Sequence, residues 1–591
     1  MNYKLDTGRG TGHTGKPGFK ASMARLGPLF AGEQKALIVS LVAIAVSSGA
    51  ALISPTIISH IIDNYIRLKN ENGLLRASLL LLAIFMVGSI ASYVQVRTMG
   101  AVGRRLMFGL RNSLFRKLQE LPVAFFNQNK AGDLISRLNN ATDKLNQFAS
   151  QALMQFVGSF VMITGAGIAL VLSDLRLGLA ALMPALAVLL VTKVTSGWVK
   201  SKNLKSLQGL GGMSSEIQES LNNFKVIVAF NRVDYFRRKF EAANEVNFAA
   251  STTAGYANNL FIPLYGFAST LAQLVVLTYG IWLIGERQLT LGLLIGFLLY
   301  VNNFYSPLRQ IAAVWSSFQL GVAALERISQ VLALESNMPL LPAAPLGLLA
   351  ESDAVLEFRD VFFRYPDSKD ILRNVSFKLE EGKAYALVGP TGGGKTTTAS
   401  LMARLYDPTE GSIYLHGRDI RSWTPEERTK KIGFILQDPF LFSGTVGENI
   451  VYGNDEYKNY TNAQLGQILE DANLSSLMTR FSEGLDTKVA ASGNTISLGQ
   501  KQLIAFMRAT LRKPELLILD EATANIDTVT EQLLEEILGK LPATTTKVII
   551  AHRLNTIDNV DQIFFVNSGE IAAAGSMEHA VDMLLHGKRE S

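Results

Sequence analysis

Hydrophobic residues follow two different rhythms along this chain, and the change comes near residue 336. Before it lie six long apolar runs, at 36–62, 75–96, 151–172, 177–194, 260–284 and 290–304. A helix crossing a hydrocarbon core of roughly 30 Å needs about 20 apolar residues, so the pattern predicts six transmembrane helices. Two pairs of runs are joined by only a few residues, Ser173-Asp174-Leu175-Arg176 and Gly285-Glu286-Arg287-Gln288, which puts both connections on one side of the membrane. On the other side, 97–148 and 195–258 carry a periodic apolar pattern well past bilayer length, as helices that project into water do.

After residue 336 the rhythm shortens. Pro339, Pro342 and Pro345 among small residues read as a linker over 336–352. Short apolar segments at 355–358, 361–365, 384–388, 516–519 and 547–550 then alternate with helical patterns, the signature of an α/β domain. Since one of these segments, 384–388, runs into Gly389-Pro390-Thr391-Gly392-Gly393-Gly394-Lys395-Thr396, a phosphate-loop pattern between a strand and a helix, the expected fold is a polytopic α-helical membrane domain followed by an α/β P-loop ATPase domain. Its parts are a disordered cytoplasmic tail over 1–22, a transmembrane domain over 23–335, the linker, and a nucleotide-binding domain over 353–591.

Charge orients this scheme. Arg97, Arg104, Arg105, Arg111, Arg116 and Lys117, with Lys193, Lys200, Lys202 and Lys205, sit on or beside the projecting segments. The positive-inside tendency therefore places that side, and both termini, in the cytoplasm of a multi-pass cell (plasma or inner) membrane protein. Hydrophobic residues make up 48% and charged ones 18%, a balance that fits a membrane protein. The net charge of +6 lies beside apolar segments, which suits membrane lipid as a partner and gives no sign of nucleic acid. There is no cysteine, so disulfides, thiolate metal sites and cysteine nucleophiles are excluded.

The chemistry starts at Gly389-Pro390-Thr391-Gly392-Gly393-Gly394-Lys395-Thr396, between the apolar strand 384–388 and a helical stretch that opens with Thr397. Glycines in such a loop let backbone N–H groups close around phosphates, and the helix N-terminus adds positive potential. Lys395 is placed to reach the β- and γ-phosphates and the Thr396 hydroxyl to ligate Mg²⁺. Downstream, Leu516-Leu517-Ile518-Leu519-Asp520-Glu521 is an apolar strand ending in two carboxylates. Asp520 is the expected metal ligand, which leaves Glu521 as the general base.

Ser497-Leu498-Gly499-Gln500 ahead of the helix that leads to this strand, with Gln437 and His552, resembles the cassette of the ATP-binding cassette transporters. Six helices and one cassette resemble a half-transporter of the exporter class, in particular one subunit of a heterodimeric multidrug or lipid exporter. The resemblance implies that Tyr365 stacks on adenine, that Gln437 senses the γ-phosphate and the metal, and that His552 holds the γ-phosphate and the attacking water. It implies that Ser497, Gly499 and Gln500 close in trans over ATP held by a second cassette, and that Asp527 lies in the loop crossing between cassettes. It further implies that 125–137 leads into a first coupling helix and that 224–232 follows the place of a second.

Leu498 departs from the family pattern, which has glycine there; so do Ala491, Ala524 and Asn525. Leu498 beside retained Lys395, Asp520, Glu521 and His552 resembles the subunit of heterodimeric members whose own phosphate loop is competent, which implies a heterodimer in preference to a homodimer. The implied function is ATP-driven export of amphipathic or hydrophobic substrates (drugs, lipids or peptides) by alternating access, with ATP and Mg²⁺. The alternative is a nucleotide-gated membrane regulator or channel with little hydrolysis. Asn258, Asn259, Tyr265, Gln273, Asn302, Asn303 and Phe304 are the candidate contacts for a small amphipathic substrate.

Overall fold

The computed structural model describes residues 3–5, 32–342, 354–366, 368–490, 496–520, 528–550, 560–575, 578–579 and 582. The chain divides into two compact units, one of Leu5–Gln119 and Ala131–Leu334, the other of Met1–Lys4, Glu120–Lys130 and Glu335–Ser591. The second unit thus borrows two short pieces from the amino-terminal half.

The first unit is helical. Among the described residues, six helices are long and apolar enough to cross a membrane. The helix Glu71–Glu120 has 50 residues and Leu175–Asn222 has 48. At 1.5 Å per residue each is about 70–75 Å long, more than twice a hydrocarbon core. The connection expected over 173–176 shrinks to Asp174 alone, because Asp174 is extended and its carboxylate accepts the Leu177 N–H at 2.9 Å, capping the next helix at once. Gly178 makes the tight turn possible: an added Cβ there would stand 2.5 Å from the Leu170 carbonyl oxygen.

At the other expected connection, Thr290 caps the helix Leu291–Leu332 and also donates to Asp63 Oδ2 at 2.5 Å, while Asp63 Oδ1 accepts Gly292 N–H at 2.9 Å. Tyr300 donates to the Leu52 carbonyl and Tyr305 to that of Ala181, bonds that link three helices. Arg137, 1% exposed, donates to Asp133 (2.7 Å), the Arg327 carbonyl (2.8 Å) and Gln330 (2.9 Å), and Arg327 closes the ring onto Asp133 at 2.7 Å.

The second unit is the α/β cassette. Its strands are β1 (Ala354–Phe363), β2 (Leu372–Glu380), β3 (Ala384–Val388), β4 (Glu410–Leu415), β5 (Arg418–Asp419), β6 (Ile432–Ile435), β7 (Gly444–Thr445), β8 (Lys488–Val489), β9 (Leu516–Asp520), β10 (Thr546–Ile550), β11 (Gln562–Asn567) and β12 (Glu570–Ala573). A four-stranded sheet runs β2-β1-β4-β5 with antiparallel neighbours, and a six-stranded sheet runs β12-β11-β3-β10-β9-β6 with only the β11–β12 pair antiparallel.

The two segments expected at 355–358 and 361–365 form the single strand β1, whose pairing shifts register between Phe358 and Val361 where Asp360 takes φ +48°. All five residues of β9 are buried: Leu516 and Ile518 join one core, Leu517 and Leu519 another, which is why the strand reads as an unbroken apolar run.

The residues expected to form a disordered tail over 1–22 include an ordered stretch at Tyr3–Leu5, with Tyr3 and Leu5 buried. Apolar packing and hydrogen bonding of Tyr3 outweigh the polar composition around it. The other residues of that tail lie outside the described residues.

Candidate functional site

Four parallel strands of the larger sheet end on the same edge. Leu387 pairs with Ile550, Ile550 with Asp520, and Leu519 with Ile435. The loop after β3, the end of β9 and the segment after β6 are thereby brought together where ligands of open α/β sheets bind. Thr396 donates to Asp520 Oδ1 at 3.3 Å across that edge, and Asp520 is 2% exposed. A hydroxyl and a carboxylate converging beside a phosphate loop are two hard oxygen donors, a set that fits Mg²⁺.

The loop itself is a cradle. Gly389 has φ +144°, and a Cβ there would stand 2.0 Å from the Val566 carbonyl oxygen on β11. The same oxygen would lie 2.6 Å from a Cβ on Gly393. Only glycines let the loop turn this close beneath the space a phosphate chain needs. Lys395, 5% exposed, bends back so that Nζ donates to the carbonyls of Gly389 (2.7 Å) and Pro390 (3.1 Å). Thr391 and Gly392 form the tip of the turn, and the helix Lys395–Met402 starts at Gly394. Thr397 shares a hydrogen bond of 3.2 Å with the Tyr365 hydroxyl, which brings the aromatic residue against the loop helix.

Gln437 is exposed, two residues past the end of β6. Ser497 caps the helix Leu498–Thr510, accepting the Gln500 N–H at 3.2 Å, while Gln500 Oε1 accepts the Ser497 N–H at 2.9 Å. Gln500 Nε2 donates to the Arg480 carbonyl at 2.6 Å. Gly499 lies in the first turn of this helix, a helix start with N–H groups of the kind that attract anions. Leu498 is the first helical residue, half-buried and in ordinary right-handed backbone, so no positive φ demands glycine there.

Glu521, Asp527 and His552 lie outside the described residues, as do Ala491, Ala524 and Asn525. Sequence reasoning missed Tyr406. Its ring meets Tyr365 edge-on at 5.3 Å, and its hydroxyl accepts from Asn127 Nδ2 at 2.6 Å. Asn127 lies 279 residues earlier, so no local pattern could have paired the two.

The helical unit contains a cavity of about 570 Å³. Its wall carries the amides of Gln95, Gln151, Gln155, Asn303 and Gln310 and the thioethers of Met99, Met154 and Met162, with no charged side chain among the lining residues. Ser159, 4% exposed, lines it with a hydroxyl that has no hydrogen-bond partner among the described residues. Of the sequence-derived substrate candidates only Asn303 is on this wall. Asn258 pairs its amide with Asn203 at 2.9 Å, Tyr265 meets Thr192 at 3.3 Å, and Phe304 packs on Gly167. Asn302 and Asn259 are exposed and Gln273 is half-buried, none of them lining the cavity.

Known proteins share this layout. Residues 37–308 match the family described as the ABC transporter transmembrane region, and residues 372–524 match the ABC transporter family. The chain is similar to the uncharacterized ABC transporter ATP-binding protein YfiC of Bacillus subtilis, 33% identical over 572 residues, 95% of this chain and 92% of that one. It is 32% identical to a fatty acid ABC transporter ATP-binding/permease protein of Mycobacterium bovis, over 85% of this chain and 78% of the other. It is 30% identical to a multidrug resistance ABC transporter ATP-binding and permease protein of Lactococcus lactis, over 85% and 84%.

Proposed function

The chain belongs to the ATP-binding cassette transporters, as an exporter-type half-transporter that fuses a membrane region to one ATP-hydrolysing cassette, and from that premise we propose that it exports uncharged or weakly charged amphipathic molecules as one half of a heterodimer. The observation that carries the substrate class is the cavity among the membrane helices, lined by amides, thioethers and a buried serine hydroxyl. Amides and hydroxyls reward hydrogen-bonding head groups, and polarisable thioethers adapt to varied apolar bodies. A relative named as a fatty acid transporter and one named for multidrug resistance support a cargo with a large apolar body.

Within the cassette, Tyr365 stacks on adenine, and the loop from Gly389 through Thr391, Gly392, Gly393 and Gly394 wraps the phosphates. Lys395 swings from the loop carbonyls to the β- and γ-phosphates, and Thr397 anchors Tyr365. Thr396, Gln437 and Asp520 would hold Mg²⁺, which would neutralise phosphate charge. Glu521 takes the proton of the attacking water and His552 steadies the γ-phosphate.

A single cassette cannot enclose ATP if Ser497, Gly499 and Gln500 act on nucleotide held by a second chain, with Asp527 in the crossing loop. ATP then favours the closed pair because it bridges two cassettes in only that state, and hydrolysis removes the bridge. Two apolar surfaces of this chain are available to a second chain: Phe224, Val226, Val228 and Phe230 are exposed, as are Phe440, Phe442 and Tyr452 on a cassette groove.

The heterodimer reading rests on Leu498. Since its backbone is ordinary, the effect of the leucine is to fill space at the mouth of the signature helix, which weakens the site it closes without unfolding it. Both termini face the cytoplasm, on the side of the basic projecting helices. Purified chain with its partner, titrated with a panel of lipids, hydrophobic drugs and peptides, tests the proposal. Severalfold stimulation of ATP turnover by neutral amphiphiles supports it, and turnover indifferent to the whole panel overturns it.

A further inference from the structure

The polypeptide passes between its two units at four places: Lys4/Leu5, Gln119/Glu120, Lys130/Ala131 and Leu334/Glu335. Any movement carried along the chain from cassette to membrane helices runs through these crossings. The short helix Val123–Gln128 lies between the second and third of them. Six residues do not hold a helix in water, so its shape depends on what it packs against.

Part of that packing is Tyr3. Its ring is 1% exposed and meets Phe125 edge-on at 6.3 Å. Its backbone N–H donates to Gln128 Oε1 at 2.7 Å, and Asn129 Nδ2 donates both to the Tyr3 carbonyl (3.0 Å) and to that of Phe125 (2.8 Å). On the other side, the Tyr3 hydroxyl accepts the Asn337 backbone N–H at 2.6 Å and donates to Asn337 Oδ1 at 2.7 Å, with the Glu335 carbonyl at 3.1 Å. Burial raises the pKa of this hydroxyl, so it stays neutral and keeps its donor. One tyrosine therefore bonds the segment that leads to the third crossing to the start of the fourth while itself standing beside the first.

The same short helix contacts the nucleotide side of the cassette. Asn127 donates to Tyr406, and Tyr406 packs edge-on against Tyr365, the residue proposed to stack on adenine. What happens at Tyr365 thus reaches Val123–Gln128 through two contacts. Whether a shift of that helix pulls the neighbouring crossings together depends on whether they are tied.

We propose that Tyr3 is a positioning residue: it clasps Val123–Gln128 to the linker start at Glu335–Asn337, so that the chain crossings move as one body and ATP turnover is converted into helix-bundle movement. The clasp rests on the export reading for its consequence but not for its existence. Tyr3→Phe keeps the ring against Phe125 and removes the hydroxyl's bonds to Asn337; Tyr3→Ala removes the ring as well.

The experiment uses the full chain with its partner and two readouts. Hydrogen exchange at the amides of Val123–Gln128 is expected to speed up by about 5- to 30-fold in Tyr3→Phe, the range for losing one or two net hydrogen bonds. Exchange unchanged in Tyr3→Phe overturns the clasp, whatever the protein transports. Molecules transported per ATP hydrolysed are expected to fall in Tyr3→Phe and further in Tyr3→Ala, with basal ATP turnover kept. That ratio is independent of how much protein folds, so a merely structural role leaves it unmoved, and an unchanged ratio in both variants overturns the coupling role. If the wild type transports nothing, the export reading fails while the exchange result still decides the clasp.

Discussion

Gly389→Ala probes the phosphate cradle through two costs that the structure separates. The backbone there has φ +144°, and such strained conformations cost a non-glycine residue about 1–3 kcal/mol. The new Cβ would also stand 2.0 Å from the Val566 carbonyl oxygen, about 1.4 Å inside the 3.4 Å at which ordinary contact begins. That oxygen cannot swing aside easily, since Val566 is fully buried on β11, whose Phe565 pairs with Val388 immediately before the loop. The loop must move instead, by about 1 Å, and a displacement of that size at a reacting centre costs on the order of 10²-fold in turnover. Gly575→Ala is the control: φ is +72° but no atom of the described residues lies within 4 Å of its Cβ, so the backbone cost of about 1–2 kcal/mol applies. Nucleotide titration, ATP turnover and thermal melting of the purified complex measure all three effects. The expected result is a modest melting shift in both variants and loss of nucleotide binding and turnover only in Gly389→Ala. Equal nucleotide affinity in the two would refute the cradle argument.

Arg137→Met should shorten the thermal-inactivation half-life, because it removes the hydrogen bonds to Gln330 and the Arg327 carbonyl, at about 1 kcal/mol each, while Asp133 keeps its pairing with Arg327; a half-life equal to that of the wild type would contradict this. Glu357 has its pKa lowered by the hydrogen bond from Arg359 and, less, by Lys378, so its stabilising contribution is present above the ordinary glutamate range and lost as the pH falls through its lowered value. Glu357→Gln should therefore melt below wild type at neutral pH, with the gap closing on acidification, and a gap that widened in acid would reverse the sign. Because the chain has no cysteine, Ser173→Cys should react with an impermeant thiol reagent outside intact cells and Ser136→Cys only after permeabilisation; the reverse pattern would invert the proposed topology.

What could be read from the sequence was whatever depends on local spacing. The six apolar runs gave six long helices, and the strand–loop–helix order around Lys395 gave the loop and its helix, because both follow from period and from glycine positions. Asp520 could be placed near Thr396 only by assuming a parallel sheet, and the observed strand order supplies that neighbourhood. Partnerships across hundreds of residues stayed hidden. Tyr3 with Asn337, and Asn127 with Tyr406, join positions whose local sequence says nothing of the other. Most of the substrate candidates lie off the cavity wall for a related reason: an Asn within a membrane helix satisfies a neighbouring helix as readily as a ligand, as Asn258 does with Asn203. The cavity wall combines residues from several helices, a register that one-dimensional periodicity does not fix.

Export driven by hydrolysis is tested most directly in inverted membrane vesicles carrying this chain and its partner, loaded with ATP and a fluorescent neutral amphiphile outside. The account predicts accumulation against the gradient that requires hydrolysable ATP. In Glu521→Gln, which keeps nucleotide binding but loses about 10²- to 10⁴-fold in turnover with its general base, accumulation should vanish. Flux that only runs down the gradient, equal with a non-hydrolysable analogue and in Glu521→Gln, would contradict the account and identify a nucleotide-gated channel.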